Sequence, residues 1–398
     1  MTLKILTLKN RSPLWAFWTM LTAGFAVFSM FFGAGNLVIP LLMGKAAGSH
    51  HSVAMLGLLI SGVLVPSMGL FAVFKANGRV DHFFSKLGKR SMFFFPFLML
   101  ALLGPFGVVP RCITVAHASF ETGFGDFSLA LFSGAFCCVI YLILQNQKRF
   151  IEIIGGLLTP ILLVSLGLII FAAITTSPSE FAGEKLQSTG SIFAYSLIEG
   201  YQTMDLMAGF FFAATIISQI SEKSKDKGYT PQSITSFTIT SLIIGGVILS
   251  FVYACLIYLG AKYGQILEGQ SPEKYISIIA HRVLGKNAGL IVSLAVIMAC
   301  LTTAVALTKI CAEFAREKMK LPLSLLICLG ITFLTSLLEF KGIIAILYPI
   351  LQVFYPGIIV FTTLSLFLPN LKERWTRFFV FATIGVCGIY SLVFMILS

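Results

Sequence analysis

The chain has 398 residues, of which 57% are hydrophobic and 11% are charged, and its mean hydropathy is +0.95. Soluble globular domains carry about 25% charged residues, so this composition excludes a soluble protein and indicates a polytopic membrane protein. The formal net charge is +12. A nucleic-acid-binding surface would cluster this charge on one soluble domain, whereas here the basic residues lie in short connections between apolar runs.

Runs of about 20 apolar residues can cross a bilayer as helices, and they predict eleven spans along the chain. Pro349 and Pro356 interrupt the tenth run, and two helices there would raise the number to twelve; one kinked span agrees better with the charge distribution. The polar stretch 262–286 predicts an extracytoplasmic helix over the bundle. The spans are expected at 14–41, 52–74, 92–118, 127–146, 151–175, 192–219, 232–261, 287–314, 322–338, 342–368 and 376–397.

The distribution of lysine and arginine predicts the orientation. With a cytoplasmic N-terminus, 19 basic residues fall in inner segments and 7 in outer segments, as the positive-inside rule requires. The first apolar run exceeds the roughly 7–15 residues of a signal-peptide core and lacks a small-residue cleavage site, so we expect a retained first span.

The first span contains a break in its helical pattern, where two glycines and an asparagine interrupt the apolar run and Pro40 follows. An unpaired amide in hydrocarbon costs about 2–7 kcal/mol, so a break is tolerated only where it lines a cavity or is covered by protein. Discontinuous transporter helices use such breaks to bind substrate, with backbone amides available to a carboxylate. A small-residue packing face is the alternative. The residues predicted to bind substrate are Gly33, Ala34, Gly35 and Asn36.

The sixth span carries a second break, and two acids lie within its apolar pattern. Ionisable residues inside a membrane span usually serve function, although a structural polar network is an alternative. The predicted substrate-binding residues here are Glu199, Gly200, Tyr201, Thr203 and Asp205, with Gln202 as a further polar neighbour.

Two broken spans, five apart and opposite in orientation, indicate an inverted repeat of five helices. The chain is then one transmembrane transporter domain over 1–398. Its first repeat covers about 14–175, its second about 192–368, and an extra C-terminal helix covers about 376–397.

Two other spans carry polar residues at depth. In the eighth, Thr302 and Thr303 offer hydroxyl oxygens that suit a hard cation, or they bond to carbonyls of the preceding turn. Lys309 and Glu313, four residues apart, are expected to form an ion pair. In the third span, Arg111 follows an irregular Gly–Pro stretch. Its charge needs a partner in low dielectric, either an acid (Glu121, Glu199 or Asp205) or the substrate.

The sequence has no phosphate-binding loop, zinc-protease motif, nucleophile elbow or dinucleotide fingerprint. We therefore expect a protein that is not an enzyme and does not hydrolyse ATP by itself. The eight cysteines lie in or beside apolar segments without metal-ligand spacing and are interpreted as small buried hydrophobic residues.

Four motifs together resemble the branched-chain amino acid:cation symporter family, the bacterial leucine, isoleucine and valine carriers. The resemblance covers most of the chain. In order, the motifs are FFGAGNL at 31–37, GPF at 104–106 with PR at 110–111, EGY at 199–201 with TMD at 203–205, and ACLTTA at 299–304 with CAE at 311–313.

The resemblance implies an all-α, leucine-transporter-type fold with a 5+5 inverted repeat and discontinuous helices 1 and 6. It implies symport of branched-chain amino acids with Na⁺ or H⁺, without a cofactor, in the bacterial cytoplasmic (inner) membrane. It also implies that the two breaks hold the amino acid and that oxygens of Ser29, Phe32, Thr302 and Thr303 bind Na⁺. A carrier of another neutral or aromatic amino acid and a non-transporting sensor are the alternatives, and the oligomeric state stays open.

Overall fold

The structure is a computed structural model that describes residues 13–76, 78–145, 159–176, 188–225 and 231–397. All regular secondary structure within these ranges is helical. This agrees with the predicted class, because hydrocarbon cannot hydrogen-bond to the backbone and helices satisfy their amides internally. Residues 151–158 of the predicted fifth span lie outside the described residues.

The first half of the described chain follows the first five predicted spans. A π-helical turn, Ile60–Leu64, connects two helices into the second span. The helices are α1 (Pro13–Phe31), α2 (Ala34–Ala47), α3 (His51–Leu59), α4 (Val65–Lys75), α5 (Val80–Ser85), α6 (Ser91–Leu103), α7 (Val108–Phe124), α8 (Leu129–Gln145) and α9 (Thr159–Thr175).

The second half of the described chain follows the remaining predicted spans. Its helices are α10 (Thr189–Glu199), α11 (Asp205–Lys225), α12 (Pro231–Lys262), α13 (Tyr275–Lys318), α14 (Ser324–Ser336), α15 (Glu339–Phe367) and α16 (Glu373–Leu397). Helix α13 is interrupted at Gly285 (φ 76°, ψ 175°), a conformation that favours glycine. The part before Gly285 is the helix predicted within 262–286. Helix α15 runs through Pro349 and Pro356, in agreement with one kinked span.

Six helical stretches in the described chain are long and apolar enough to cross a bilayer, judged by length and composition. They are Ala34–Lys75, Ser91–Phe124, Thr235–Lys262, Gly289–Lys318, Glu339–Phe367 and Glu373–Val393. Shorter apolar helices, among them Ala16–Phe31, Leu129–Gln145, Leu163–Thr175 and Ser324–Ser336, cover other predicted spans. Ala16–Phe31 is short because the first-span break ends it before Gly33.

The predicted breaks are present. Gly33 stands between α1 and α2 with an extended backbone (φ −119°, ψ −163°). A 3₁₀ turn, Gly200–Thr203, separates α10 from α11, and the next residue, Met204, is left-handed (φ 57°). Turn residues 104–107 separate α6 from α7. These interruptions coincide with the glycine-containing motifs of the first, third and sixth spans.

The half-helix after the first break lies deep in the bundle. Helix α2 is buried along almost its whole length and packs against α12, while α7 packs against α13. Two glycines allow α2 and α12 to cross closely, because Gly44 abuts the carbonyl of Ile257 and Gly260 abuts that of Leu41. Small residues at such crossings let helix backbones approach in membrane bundles. Helix α16 is mostly exposed and packs on α15.

Candidate functional site

Three buried polar side chains from three helices meet where the two breaks face each other. The Nδ2 of Asn36 donates to Oδ2 of Asp205 (2.8 Å) and to the hydroxyl of Tyr253. The Tyr253 hydroxyl donates to the same Oδ2 (2.9 Å). Asn36 lies in the first turn of α2 and Asp205 begins α11, so these hydrogen bonds connect the first-span break with the sixth-span break.

Local hydrogen bonds shape the sixth-span break. Thr203 Oγ1 donates to the carbonyl of Gly200 (2.8 Å), and the amide of Met204 donates to the carbonyl of Tyr201 (3.0 Å). Gly200 packs against the side chain of Ser61, where a Cβ would overlap the hydroxyl. Asp205 then starts α11, and a helix N-terminus favours a carboxylate.

The two breaks also approach each other at Gly35. A Cβ at this position would lie 3.4 Å from the Gln202 carbonyl oxygen and 3.8 Å from Nη2 of Arg111. Nη1 of Arg111 donates to that same carbonyl (2.8 Å). The third span therefore reaches the site through Arg111, beside the N-terminal turn of α2.

Of the two partners expected for Arg111, an acid or the substrate, the described residues supply no paired acid. Glu121 instead pairs with Nζ of Lys274 (2.9 Å), and the carboxylate of Asp205 is bound by Asn36 and Tyr253. No described carboxylate lies within ion-pair distance of the guanidinium. The predicted pair of Lys309 with Glu313 is present at 4.0 Å.

The predicted cation residues approach the first-span break from α13. A Cβ at Gly33 would lie 3.0 Å from Cγ2 and 3.3 Å from Oγ1 of Thr303. Oγ1 of Thr303 is buried and has no hydrogen-bond partner in the described part of the chain. Thr302 differs, because its hydroxyl donates to the carbonyl of Ala299 (2.7 Å). Thr303 is therefore the better placed of the two for a cation.

The other predicted cation residues lie at the end of α1. Phe32 is buried next to Gly33, and Ser29 is half-buried one turn earlier. Among the residues that the structure describes, no group of three or more His, Cys, Asp or Glu could hold a metal ion. A cation here would need hydroxyl and carbonyl oxygens, which suit a hard monovalent ion.

Two predicted substrate residues face a different neighbour. The Glu199 carboxyl at the end of α10 interacts with the side chain of Tyr348. The ring of Tyr201 stacks on that of Tyr355, with centroids 4.7 Å apart. Both partners belong to α15, so Glu199 and Tyr201 lie toward this helix rather than toward Asn36.

Sequence reasoning did not identify three groups at the site. Tyr253 and Tyr355 stand in long apolar runs with no motif around them, and the third group is the backbone carbonyl of Gln202. Tyr355 accepts a hydrogen bond from the amide of Leu206 (3.0 Å) and so supports the start of α11. A tyrosine within an apolar run is a weak signal, because its ring alone fits the helix interface.

The segment between α12 and α13, together with the first turn of α13, covers the ends of α2 and α7. Nζ of Lys45 donates to the carbonyl of Leu267 (2.6 Å) and the hydroxyl of Tyr275 (3.0 Å). Buried hydroxyls of Ser277 and Ser119 hydrogen-bond at 3.0 Å. These contacts lie on the side predicted to be extracytoplasmic and hold the segment against both helices.

Comparison with known sequences identifies relatives across nearly the whole chain. The profile of the branched-chain amino acid transport protein family matches residues 18–397. The chain is 30% identical over 388 residues to the branched-chain amino acid permease BraB of Bacillus subtilis, covering 93% of this chain and 84% of that protein. It is 29% identical over 360 residues to the branched-chain amino acid transport system 2 carrier protein of Pseudomonas aeruginosa, covering 87% and 80%.

Comparison with solved structures confirms the predicted leucine-transporter-type fold. MhsT in complex with L-phenylalanine matches with a TM-score of 0.61 at 14% identity, over 93% of this chain and 98% of that one. Mhp1 in an inward-facing conformation matches with a TM-score of 0.63 at 12% identity, over 89% and 77%. At these identities the likeness shows the fold alone.

Proposed function

This chain belongs to the branched-chain amino acid transport protein family, and we propose that it is a secondary symporter that imports leucine, isoleucine or valine with Na⁺ or H⁺. The observation that carries the proposal is that two helix breaks face each other and are joined by the hydrogen bond between Asn36 and Asp205. Membership in a family of transport proteins agrees with the prediction that the chain is not an enzyme. The relatives named above are bacterial, and the cytoplasmic membrane with a cytoplasmic N-terminus is the proposed location.

The amino acid would bind between the breaks of the first and sixth spans. Amides at the start of α2 attract a carboxylate because they form the positive end of a half-helix. Gly35 lets the sixth-span break approach this backbone closely, since a Cβ there would lie 3.4 Å from both the Gln202 carbonyl oxygen and Cα of Thr203. The substrate side chain would lie between the first, third, sixth and eighth spans.

For the coupling ion we favour Na⁺ at Thr303, with Thr302, Ser29 and Phe32 completing an all-oxygen site. The support is the buried, unpartnered hydroxyl of Thr303 against Gly33, since an unsatisfied buried oxygen is costly without a ligand. The cation would then lie beside the first-span break, so that its binding and substrate binding both stabilise the same arrangement of α1, α2 and α13. Protons are the alternative ion, because Glu199 and Asp205 are buried acids.

The proposal is tested by uptake of labelled L-leucine into proteoliposomes that contain the purified full chain. A Na⁺ gradient and a proton gradient are imposed separately, and unlabelled amino acids compete. We expect accumulation with Na⁺ that isoleucine and valine inhibit. Accumulation with a proton gradient alone would move the coupling to the buried acids. No leucine accumulation with either gradient, in protein of verified fold, would contradict the proposed substrate class.

A further inference from the structure

Arg111 is the largest side chain of the described residues with less than 2% exposure, and its guanidinium is poorly satisfied. Only Nη1 has a hydrogen bond, to the carbonyl of Gln202 (2.8 Å). Nε and Nη2 are buried without any hydrogen-bond partner in the described chain. A guanidinium stays charged and presents five donors, so burial in this state is costly unless an anion completes it.

The unpartnered side of Arg111 points to the start of α2. Its Nη2 lies 3.8 Å from the Cβ position of Gly35, in the first turn of that helix. A helix N-terminus carries partial positive charge and orphan amides. The guanidinium of Arg111 and the positive end of α2 therefore lie close together in a buried region. An anion bound by both would accept their unused hydrogen bonds.

Protein carboxylates do not fill this place among the described residues. Asp205 interacts with Arg111 only at longer range, and its Oδ2 accepts from Asn36 and Tyr253. Glu199 faces Tyr348, and Glu121 pairs with Lys274. Since no described carboxylate supplies the anion, we assign it to a ligand.

We propose that Arg111 binds the carboxylate of the transported amino acid, with Nε and Nη2 as a two-point donor beside the Gly35 turn. This deepens the proposed function and rests on it, since the substrate is taken to be an α-amino acid. The guanidinium fork matches a carboxylate in a way that a lysine ammonium does not. A zwitterion brings its carboxylate together with a balancing ammonium group, so its entry adds no net charge to the buried site.

The proposal assigns selectivity to Arg111. Leucine and L-leucinamide share the side chain and the amino group, but only leucine has a carboxylate. The native protein must therefore prefer leucine to leucinamide strongly, and loss of the guanidinium must remove most of that preference. A purely structural role would lower the amount of folded protein without changing the ratio between the two ligands.

The experiment measures ligand-induced thermal stabilisation and inhibition of labelled leucine uptake for the purified full chain. The probes are L-leucine, L-leucinamide and a panel of other amino acids with their amides. The variants are Arg111→Gln and Arg111→Lys, with Thr114→Val as the matched control. Thr114 lies one turn further along α7, where its hydroxyl donates only to the carbonyl of Arg111 (3.0 Å).

We expect Arg111→Gln to weaken leucine binding by at least about 30-fold, as for removal of one partner of a buried charge pair, and to bring the leucine-to-leucinamide ratio close to one. Arg111→Lys should retain part of the preference for leucine over leucinamide, and Thr114→Val should retain the native preference. If Arg111→Gln does not fold, the test rests on the leucine-to-leucinamide binding ratio of Arg111→Lys compared with that of the native protein.

Four outcomes separate this proposal from the proposed function. Native protein that binds leucine and leucinamide equally, or a folded Arg111→Gln protein that retains the preference, would overturn the role of Arg111 alone. An Arg111-dependent preference for a different amino acid over its amide would support Arg111 and overturn the branched-chain substrate. Native protein that binds no amino acid of the panel would overturn both.

Discussion

Asn36 and Asp205 are 169 positions apart in the chain, yet Nδ2 of the first lies 2.8 Å from Oδ2 of the second. Each stands at the start of the helix that follows a break, so one hydrogen bond joins the two interruptions of the bundle. Tyr253 hydrogen-bonds to both side chains and fixes their relative positions. The breaks are therefore one structural unit.

We predict that Asn36→Ala reduces leucine uptake by roughly tenfold or more. The change removes a donor to a buried acid, and a hydrogen bond to a charged group contributes about 1.5–3 kcal/mol. Tyr253→Phe keeps the ring and removes only the hydroxyl, so its effect should be smaller. Initial uptake rates per correctly inserted protein measure both. Uptake by Asn36→Ala at the native rate would contradict a joint role of the two breaks.

The contact between Gly33 and Thr303 predicts a rescue. In Gly33→Ala the new Cβ would lie 3.0 Å from Cγ2 of Thr303, which is too close without movement. We expect weaker apparent Na⁺ affinity in this variant. Adding Thr303→Ser removes the crowding methyl and keeps the hydroxyl, so the double variant should recover Na⁺ affinity. The apparent Na⁺ affinity of each variant is measured from leucine uptake as a function of Na⁺ concentration.

The control for that pair is Thr303→Val, which keeps the volume and removes the oxygen. It should lose Na⁺ dependence whether or not Gly33 is changed. Equal Na⁺ dependence in Thr303→Val and native protein would exclude Thr303 as a cation ligand.

The close crossing of α2 and α12 predicts a loss of stability in Gly44→Ala. A Cβ at Gly44 would overlap the backbone of Ile257, and backbone cannot move aside as a flexible side chain can. Overpacking of this kind costs about 1–3 kcal/mol. Gly385→Ala on α16 is the matched control, because no atom lies within 4 Å of its Cβ position. The melting temperatures of the purified proteins test this prediction. Equal melting temperatures for Gly44→Ala and Gly385→Ala would contradict the close crossing of α2 and α12.

Glu273, in the segment between α12 and α13, predicts a pH effect. Burial raises the pKa of its carboxyl above the usual value, and Lys341 and Lys274 oppose the rise only in part. The protonated form thus favours the folded protein. Stability contributed by this group is present below the ordinary carboxyl pKa of about 4.3 and is lost as pH rises through the higher folded value.

We therefore expect Glu273→Gln to stabilise the protein at pH 8 and to change little at pH 4. Glu268→Gln is the control from the same segment, since Glu268 is exposed. Thermal stability of each variant is measured at both pH values. A gain that does not depend on pH, or that is larger at pH 4, would contradict the assigned cause.

The helical spans and their breaks followed from local sequence. Gly33, Gly35 and Asn36 predicted the first interruption, and the polar run 199–205 predicted the second; the structure contains them at Gly33 and at Gly200–Thr203. Both prolines of the tenth run were placed in one helix, as observed. Such features are readable because hydrocarbon imposes the same demand on each segment separately: its amides must be paired, and exceptions need special residues.

The contacts of individual side chains were harder to predict than the positions of the spans and their breaks. Arg111 was expected to pair with an acid or with the substrate, and in the structure it donates to the backbone carbonyl of Gln202. No motif around Tyr253 in the sequence indicated that it lies beside Asp205. Thr302 and Thr303 looked equivalent, although only the first bonds to its own helix.

The sequence by itself determined that this chain is a bundle of apolar helices, where they break, and which family it resembles, because period, length and motif are properties of contiguous residues. Only the tertiary structure decided that Asn36 meets Asp205, that Thr303 faces Gly33, and that no described carboxylate pairs with Arg111. Those contacts depend on the rotation and crossing of helices far apart in the chain. Packing of the whole bundle sets that geometry, and no single segment encodes it.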